Sequence, residues 1–199
     1  MLSFLHVGCG PKRKAQTTPA FNTPAWNEVR FDIDPSVAPD IIGTMTDMSA
    51  VATESVDAVF SSHNIEHVYP HEVPVVLAEF KRVLKPDGFV IITCPDLVSV
   101  AKLIADDKLM EPAYVSNAGP ISPLDILYGH RASMSRGNLF MAHKGGFSAK
   151  SLSGALKSAG FASIAALARP GAFDLWAAAS KKALEETAMK TLLVSQLAQ

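Results

Sequence analysis

The sequence predicts an α/β protein built on a mostly parallel, open sheet, and three observations carry that expectation. An apolar run at residues 2–7 stops on Gly8, Cys9 and Gly10, the pattern of a buried strand feeding a sharp turn that brings backbone close to a ligand. Further strand-length runs follow at residues 28–34, 40–44, 54–62 and 89–94. Between the last two, residues 71–84 place Val76, Leu77, Phe80, Val83 and Leu84 on one helical face, as in a helix packed on a sheet.

Bulk properties narrow the choice. At 199 residues the chain is expected to form one domain, residues 1–199, large enough for a full core. The 18 Lys and Arg nearly cancel the 19 Asp and Glu, so no electrostatic footprint for nucleic acid is present and no nucleic-acid partner is expected. The apolar runs fall far short of the roughly 20 residues of a membrane helix, and no leader-like segment is recognised. With only Cys9 and Cys94, a disulfide framework is excluded and a reducing cytoplasm is the expected location.

The elements follow in order. Residues 11–24 hold three prolines with Thr and Asn, so a loop or a very short helix stands where an α/β protein normally has its first helix. Lys12, Arg13 and Lys14 in it read as a solvated loop, with contact to an anionic ligand group as the alternative. Residues 28–34 form the second strand. Asp32, about 20 residues beyond Gly10, is placed to accept hydrogen bonds from ribose hydroxyls, while Asp34 beside Pro35 reads as a cap or turn residue. Residues 40–44 give a short third strand, and the fourth ends on Ser61 and Ser62. Lys85, Pro86, Asp87 and Gly88 form a tight turn into the fifth.

A helix is expected at residues 97–109, and residues 111–146 are rich in Pro, Gly, Ser and Asn. So long a connection reads as a lid or binding loop, and residues 106–146 are taken as an insertion covering an acceptor. It contains a short helical piece at residues 122–129. Ser148 is the expected N-cap of a helix stopped by Gly160, residues 162–168 and 173–179 form a hairpin, and residues 181–198 form a last helix.

Together these strings resemble the class I S-adenosylmethionine-dependent methyltransferases, in particular the type 11 kind. The resemblance rests on residues 5–10 (LHVGCG), 31–35 (FDIDP), 46–48 (TDM), 55–60 (SVDAVF), 65–67 (IEH) and 82–88 (RVLKPDG), in order and at family spacing. It implies a Rossmann-like sheet of seven strands in order 3-2-1-4-5-7-6, ending in an antiparallel hairpin, with helices on both faces. The implied cofactor is S-adenosylmethionine. Gly8, Cys9 and Gly10 would line its methionine part, Asp32 its ribose and Ile33 its adenine. Asp47 and Met48 are similar to the pair at the adenine amino group and ring, and Ser61, Ser62 and His63 stand where cofactor and acceptor meet. His6 departs from the acid many members carry near the cofactor's ammonium.

Two rival readings fit the residues less well. A dinucleotide enzyme wants a third glycine opening a helix, and this chain has Arg13 and prolines there. His63-Asn64-Ile65-Glu66-His67 fits H-x-x-E-H, a zinc-hydrolase string, but it follows a strand directly and Pro70 precedes His71, so no metal site is expected. The expected activity is methyl transfer to a small-molecule acceptor, with His63 as general base and His143 as second choice. The alternative is a non-catalytic protein of the same fold that binds cofactor or a partner.

Overall fold

In the computed structural model, which describes residues 1–197, β1 (Leu2–Val7) is an interior strand of a seven-stranded sheet. It pairs in parallel with β2 (Trp26–Asp32) on one side and β4 (Val56–Ser62) on the other. The two-residue β3 (Ile41–Ile42) adds beyond β2, and β5 (Leu84–Pro95) adds beyond β4. The edge is an antiparallel hairpin of β8 (Ser163–Arg169) and β9 (Asp174–Ser180), with β9 inserted next to β5. The order is therefore β3-β2-β1-β4-β5-β9-β8. Setting aside the separate small hairpin of β6 (Tyr114–Ser116) and β7 (Gly119–Ile121), this is the expected 3-2-1-4-5-7-6.

One face of the sheet is covered as the apolar spacing predicts. Helix α1 (Val73–Val83) buries Val76, Leu77, Phe80 and Val83, and α5 (Ala149–Ser158) adds Leu152 and Leu156 to the same cluster. Ser148 caps α5 by accepting from the Ser151 amide, and Gly160 follows its end at φ 82°. Pairing between β4 and β5 jumps from Val56–Leu84 to Ala58–Phe89, so the expected turn at residues 85–88 sits within β5 as a bulge.

The other face lacks the usual first helix. Residues 11–24 hold a single 3-10 turn, Lys14–Gln16, and Phe21 fills part of the space by stacking on Phe4 at 4.4 Å between ring centres. Three further bonds hold this loop. The Lys14 amide donates to the Glu28 carboxylate at 2.8 Å, and the Lys14 ammonium donates to the Thr23 and Trp26 carbonyls. Helix α6 (Glu186–Gln196) completes the cover with Met189 and Leu193, and Thr18 donates to the buried Gln196 amide oxygen at 2.7 Å. The helix is shorter than the expected residues 181–198, and Ala198 lies outside the described residues.

Helix α2 (Leu97–Ala105) is capped by Asp96 and ends earlier than the expected residue 109, at a left-handed Asp107. The segment beyond it carries α3 (Pro123–Tyr128) and α4 (Arg131–Met134) and packs through Ile121 and Ile126 onto Val100. Its end is pinned to the turn after β4: the Lys144 and Gly145 amides both donate to the Glu66 carbonyl. Among the described residues no helix is long and apolar enough to cross a membrane.

Because Leu193 is fully packed against Phe4, Phe21 and Phe60, Leu193→Ala is expected to cost about 2–4 kcal/mol in denaturant unfolding. A loss below about 1 kcal/mol would mean that α6 does not support this face.

Candidate cofactor and acceptor site

A cleft of about 470 Å³ opens over the carboxyl ends of β1, β2 and β4, the position where open α/β sheets bind ligands. Its floor is the turn after β1. Gly8 and Gly10 adopt φ of 61° and 51°, in the left-handed region. At Gly8 a Cβ would lie 2.0 Å from the Asn64 side-chain oxygen, so only glycine fits. Asn64 is fixed there because its amide donates to the carbonyls of Val7 and Ser62, both at 2.9 Å.

Behind the turn lies a residue that the sequence pattern does not single out. Arg30, on β2, is buried, and its guanidinium donates to the carbonyls of Gly10, Lys12, Val37 and Ala38. One cation thereby ties the glycine turn to the segment after β2. His6 occupies the neighbouring position on β1 and bonds Glu28 at 2.7 Å. Burial holds its imidazole below the usual range despite that carboxylate.

Asp32 is buried at the end of β2, and its two oxygens accept from the amides of Gly10 and Asp34 at 2.7 and 2.9 Å. It therefore braces the turn while facing the cleft, and each oxygen keeps a lone pair for a ligand hydroxyl. Asp34 also lines the cleft but caps the next turn, accepting from the Ser36 amide, which holds its carboxyl below the usual range. Ile33, an exposed apolar side chain, forms part of the wall.

Other expected positions fall differently. Cys9 is buried and turned toward a smaller cavity of about 230 Å³ on the far side of the turn, and burial pushes its thiol up to about 11. Asp47 is exposed and bonds the Ser49 amide, outside the cleft wall. Met48 is in the core, because Glu79 and Arg82 of α1 bind its backbone and draw it inward. Gly43, Thr44, Met45 and Thr46 line the cleft in their place. Ser61 is fully buried with no hydrogen-bond partner, whereas Ser62 lines the cleft and accepts from Thr93 at 2.9 Å. Of the basic triad, Lys12 reaches the rim while Lys14 serves the loop.

His63 lines the cleft and is half exposed, held at φ 55°, a conformation costly for a residue with a Cβ. The segment that follows is one 3-10 turn, Ile65–His67, so the H-x-x-E-H string does not lie on a helix and His63 and His67 do not share a face as a zinc hydrolase requires. His143 does not line the cleft. It lies behind His67, with ring centres 4.8 Å apart, and burial lowers its imidazole. Glu66, next to both, is fully buried. Burial alone would raise its carboxyl, but the facing histidines, His63 first, hold it below the usual range. From the far segment, Asn138, Leu139, Phe140, Met141 and Lys144 close the cleft's remaining side.

Fold and cleft define a Rossmann-like methyltransferase architecture. Residues 5–92 match the family model described as a methyltransferase domain, a stretch running from β1 into β5 and holding every strand end that borders the cleft. This match and the fold together support a class I S-adenosylmethionine-dependent methyltransferase with S-adenosylmethionine as its cofactor. Among solved structures it is similar to an S-adenosylmethionine-dependent methyltransferase from Archaeoglobus fulgidus (13% identity, 90% of this chain and 86% of that one, TM-score 0.58). It is also similar to a protein from Pyrococcus horikoshii (16%, 90% and 82%, TM-score 0.61). A third is 1,6-didemethyltoxoflavin-N1-methyltransferase from Burkholderia thailandensis, solved with its substrate and S-adenosylhomocysteine (15%, 91% and 71%, TM-score 0.54). At these identities the likeness is one of fold. No curated protein matches the chain.

The residues present fit the cofactor: the turn admits no Cβ at Gly8, and a buried carboxylate with spare lone pairs faces the cleft. Gly8→Ala is expected to lower stability by about 2 kcal/mol or more, from left-handed strain and the Asn64 clash, and to abolish binding of S-adenosylhomocysteine in calorimetry. Arg30→Met leaves four carbonyls without their donor, with an expected loss of about 3 kcal/mol or more. Equal unfolding midpoints for wild type and Arg30→Met would refute its bracing role.

Proposed function

We propose that the chain transfers the methyl group of S-adenosylmethionine to a small-molecule acceptor seated between the end of β4 and residues 138–144. The observation that carries this reading is the single cleft bordered on one side by the Gly8–Gly10 turn and Asp32, and on the other by His63 and the far segment. The near balance of charge and the polar-and-apolar walls favour a compact, uncharged or weakly charged acceptor over a polyanion. The two free, buried thiols suit a reducing cytoplasm.

When bound, the cofactor supplies a methyl group already activated on a sulfonium. The chain's residues then have mainly to align the acceptor, and alignment can supply roughly 7–11 kcal/mol. Asp32 accepts from the ribose hydroxyls. Leu139 and Phe140, both exposed, cover the acceptor and exclude water from it. Where the accepting atom carries a proton, His63 takes it. Its ring is accessible from the cleft, and Glu66, 3.4 Å from Nδ1, stabilises the resulting cation.

The test is thermal unfolding with S-adenosylmethionine, S-adenosylhomocysteine, NAD and zinc added separately. At about 100 times the dissociation constant a ligand stabilises by roughly 2.7 kcal/mol, a shift of roughly 5–10 °C here. Both adenosyl compounds are expected to give that shift, and Asp32→Ala to remove it. In acceptor screens His63→Ala is expected to keep the shift and lose roughly 10²–10⁴-fold in turnover. Unchanged turnover would end the base assignment, and the absence of any adenosyl shift would end the whole reading.

A further inference from the structure

We infer that Glu66, His67 and His143 form a binding site for one divalent transition-metal ion, set between the cofactor cleft and the segment that closes it. Donor atoms of all three side chains lie within 4.8 Å of one another, one carboxylate and two imidazoles, a ligand set that suits zinc and its first-row neighbours and disfavours the oxygen-seeking calcium and magnesium.

Three independent features point to an ion rather than to packing. Glu66 is 1% exposed, and neither of its carboxylate oxygens has a hydrogen-bond partner; His63 comes only to 3.4 Å, without hydrogen-bond geometry. A buried carboxylate with no partner is a costly arrangement unless a cation neutralises it. Secondly, both imidazoles are oriented by backbone carbonyls. His67 Nδ1 meets the Ala142 carbonyl at 3.0 Å and His143 Nδ1 meets the Ile126 carbonyl at 2.7 Å. A carbonyl only accepts, so each Nδ1 carries the hydrogen and each Nε2 is the nitrogen free to ligate. Metal-binding histidines are commonly fixed in this way.

Thirdly, the trio joins two parts of the chain that nothing local would bring together. Glu66 and His67 follow β4, whereas His143 closes the far segment, and the Glu66 carbonyl accepts from the Lys144 and Gly145 amides. The backbone thus holds the ligands in place before an ion arrives, and loading has only to draw the donors inward. His67 is the one member of the trio that lines the cleft. Coordination positions not taken by protein therefore open past His67 toward the acceptor side, where they take water or an acceptor oxygen. Glu66 acts here as a ligand rather than as the base of a hydrolase string, and the ion's binding does not depend on whether the chain turns over.

The experiment uses the full chain stripped with chelator and titrated with Zn²⁺ by calorimetry, and with Co²⁺ by visible absorption. About one equivalent of each is expected, the Co²⁺ complex showing the d–d bands of a low-coordinate nitrogen and oxygen site. Glu66→Gln and His143→Ala are each expected to weaken binding more than about 100-fold, since even outer partners of metal ligands are worth 10–100-fold. His71→Ala, an exposed histidine outside the trio, is expected to bind as wild type does. A second reading guards against misfolding: metal-free Glu66→Gln is expected to keep the wild-type circular dichroism spectrum and a cooperative unfolding transition, so that its lost affinity reports a lost ligand. The proposal is overturned if no stoichiometric binding occurs, or if either trio variant keeps wild-type affinity and spectrum.

Discussion

The buried guanidinium of Arg30 is the constraint on which the cofactor side of the molecule depends. Four main-chain carbonyls, from the glycine turn and from the segment after β2, converge on it, and among the described residues no side-chain carboxylate shares the work. Carbonyl dipoles satisfy the donors of a fixed planar fork without neutralising its charge. The turn after β1 is therefore held from behind by a cation and from the front by Asp32, which accepts from the Gly10 amide. Gly8 and Gly10 give the turn its shape, but their backbone freedom would leave it loose without these two charged braces.

That bracing replaces what a first helix ordinarily does. In most proteins of this architecture the turn leads into a helix that packs on the sheet and carries the turn with it. Here residues 11–24 contain too many prolines to form one, and the cover comes from Phe21 and from α6, far away in sequence. His6, Glu28 and the Lys14 amide form a further anchor between strand and loop. The exchange of a local helix for a distant one leaves the strand order and the cleft intact.

Much of this was legible in the sequence. The parallel strands are continuous apolar runs bounded by turn residues, and α1 and α5 show clear apolar faces, so order and pairing followed from pattern and resemblance. The absence of the first helix was equally readable, since proline at three positions removes amide donors whatever the tertiary context. What pattern cannot reach is the direction in which a side chain points once a distant element pulls on its backbone. Met48 goes into the core because Glu79 and Arg82 seize its amide and carbonyl. Arg30 looks like an alternating surface residue of a half-buried strand. His143 and Glu66 are 77 positions apart, and it takes the amides of Lys144 and Gly145 on the Glu66 carbonyl, with His67 on the Ala142 carbonyl, to bring them together.

The cover supplied by α6 also bears on the order in which the molecule can be made. Strands β1, β2 and β4 leave the ribosome long before α6, with Phe4, Phe21 and Phe60 ready to pack, yet one side of that half-sheet stays open to water until residues 186–196 have been synthesised. Contacts between segments so far apart form slowly, and an open apolar sheet face is the kind of surface that chaperones bind and that aggregates. A nascent chain of this architecture is thus vulnerable until residues 186–196 have emerged, and the docking of α6 is what ends that exposure.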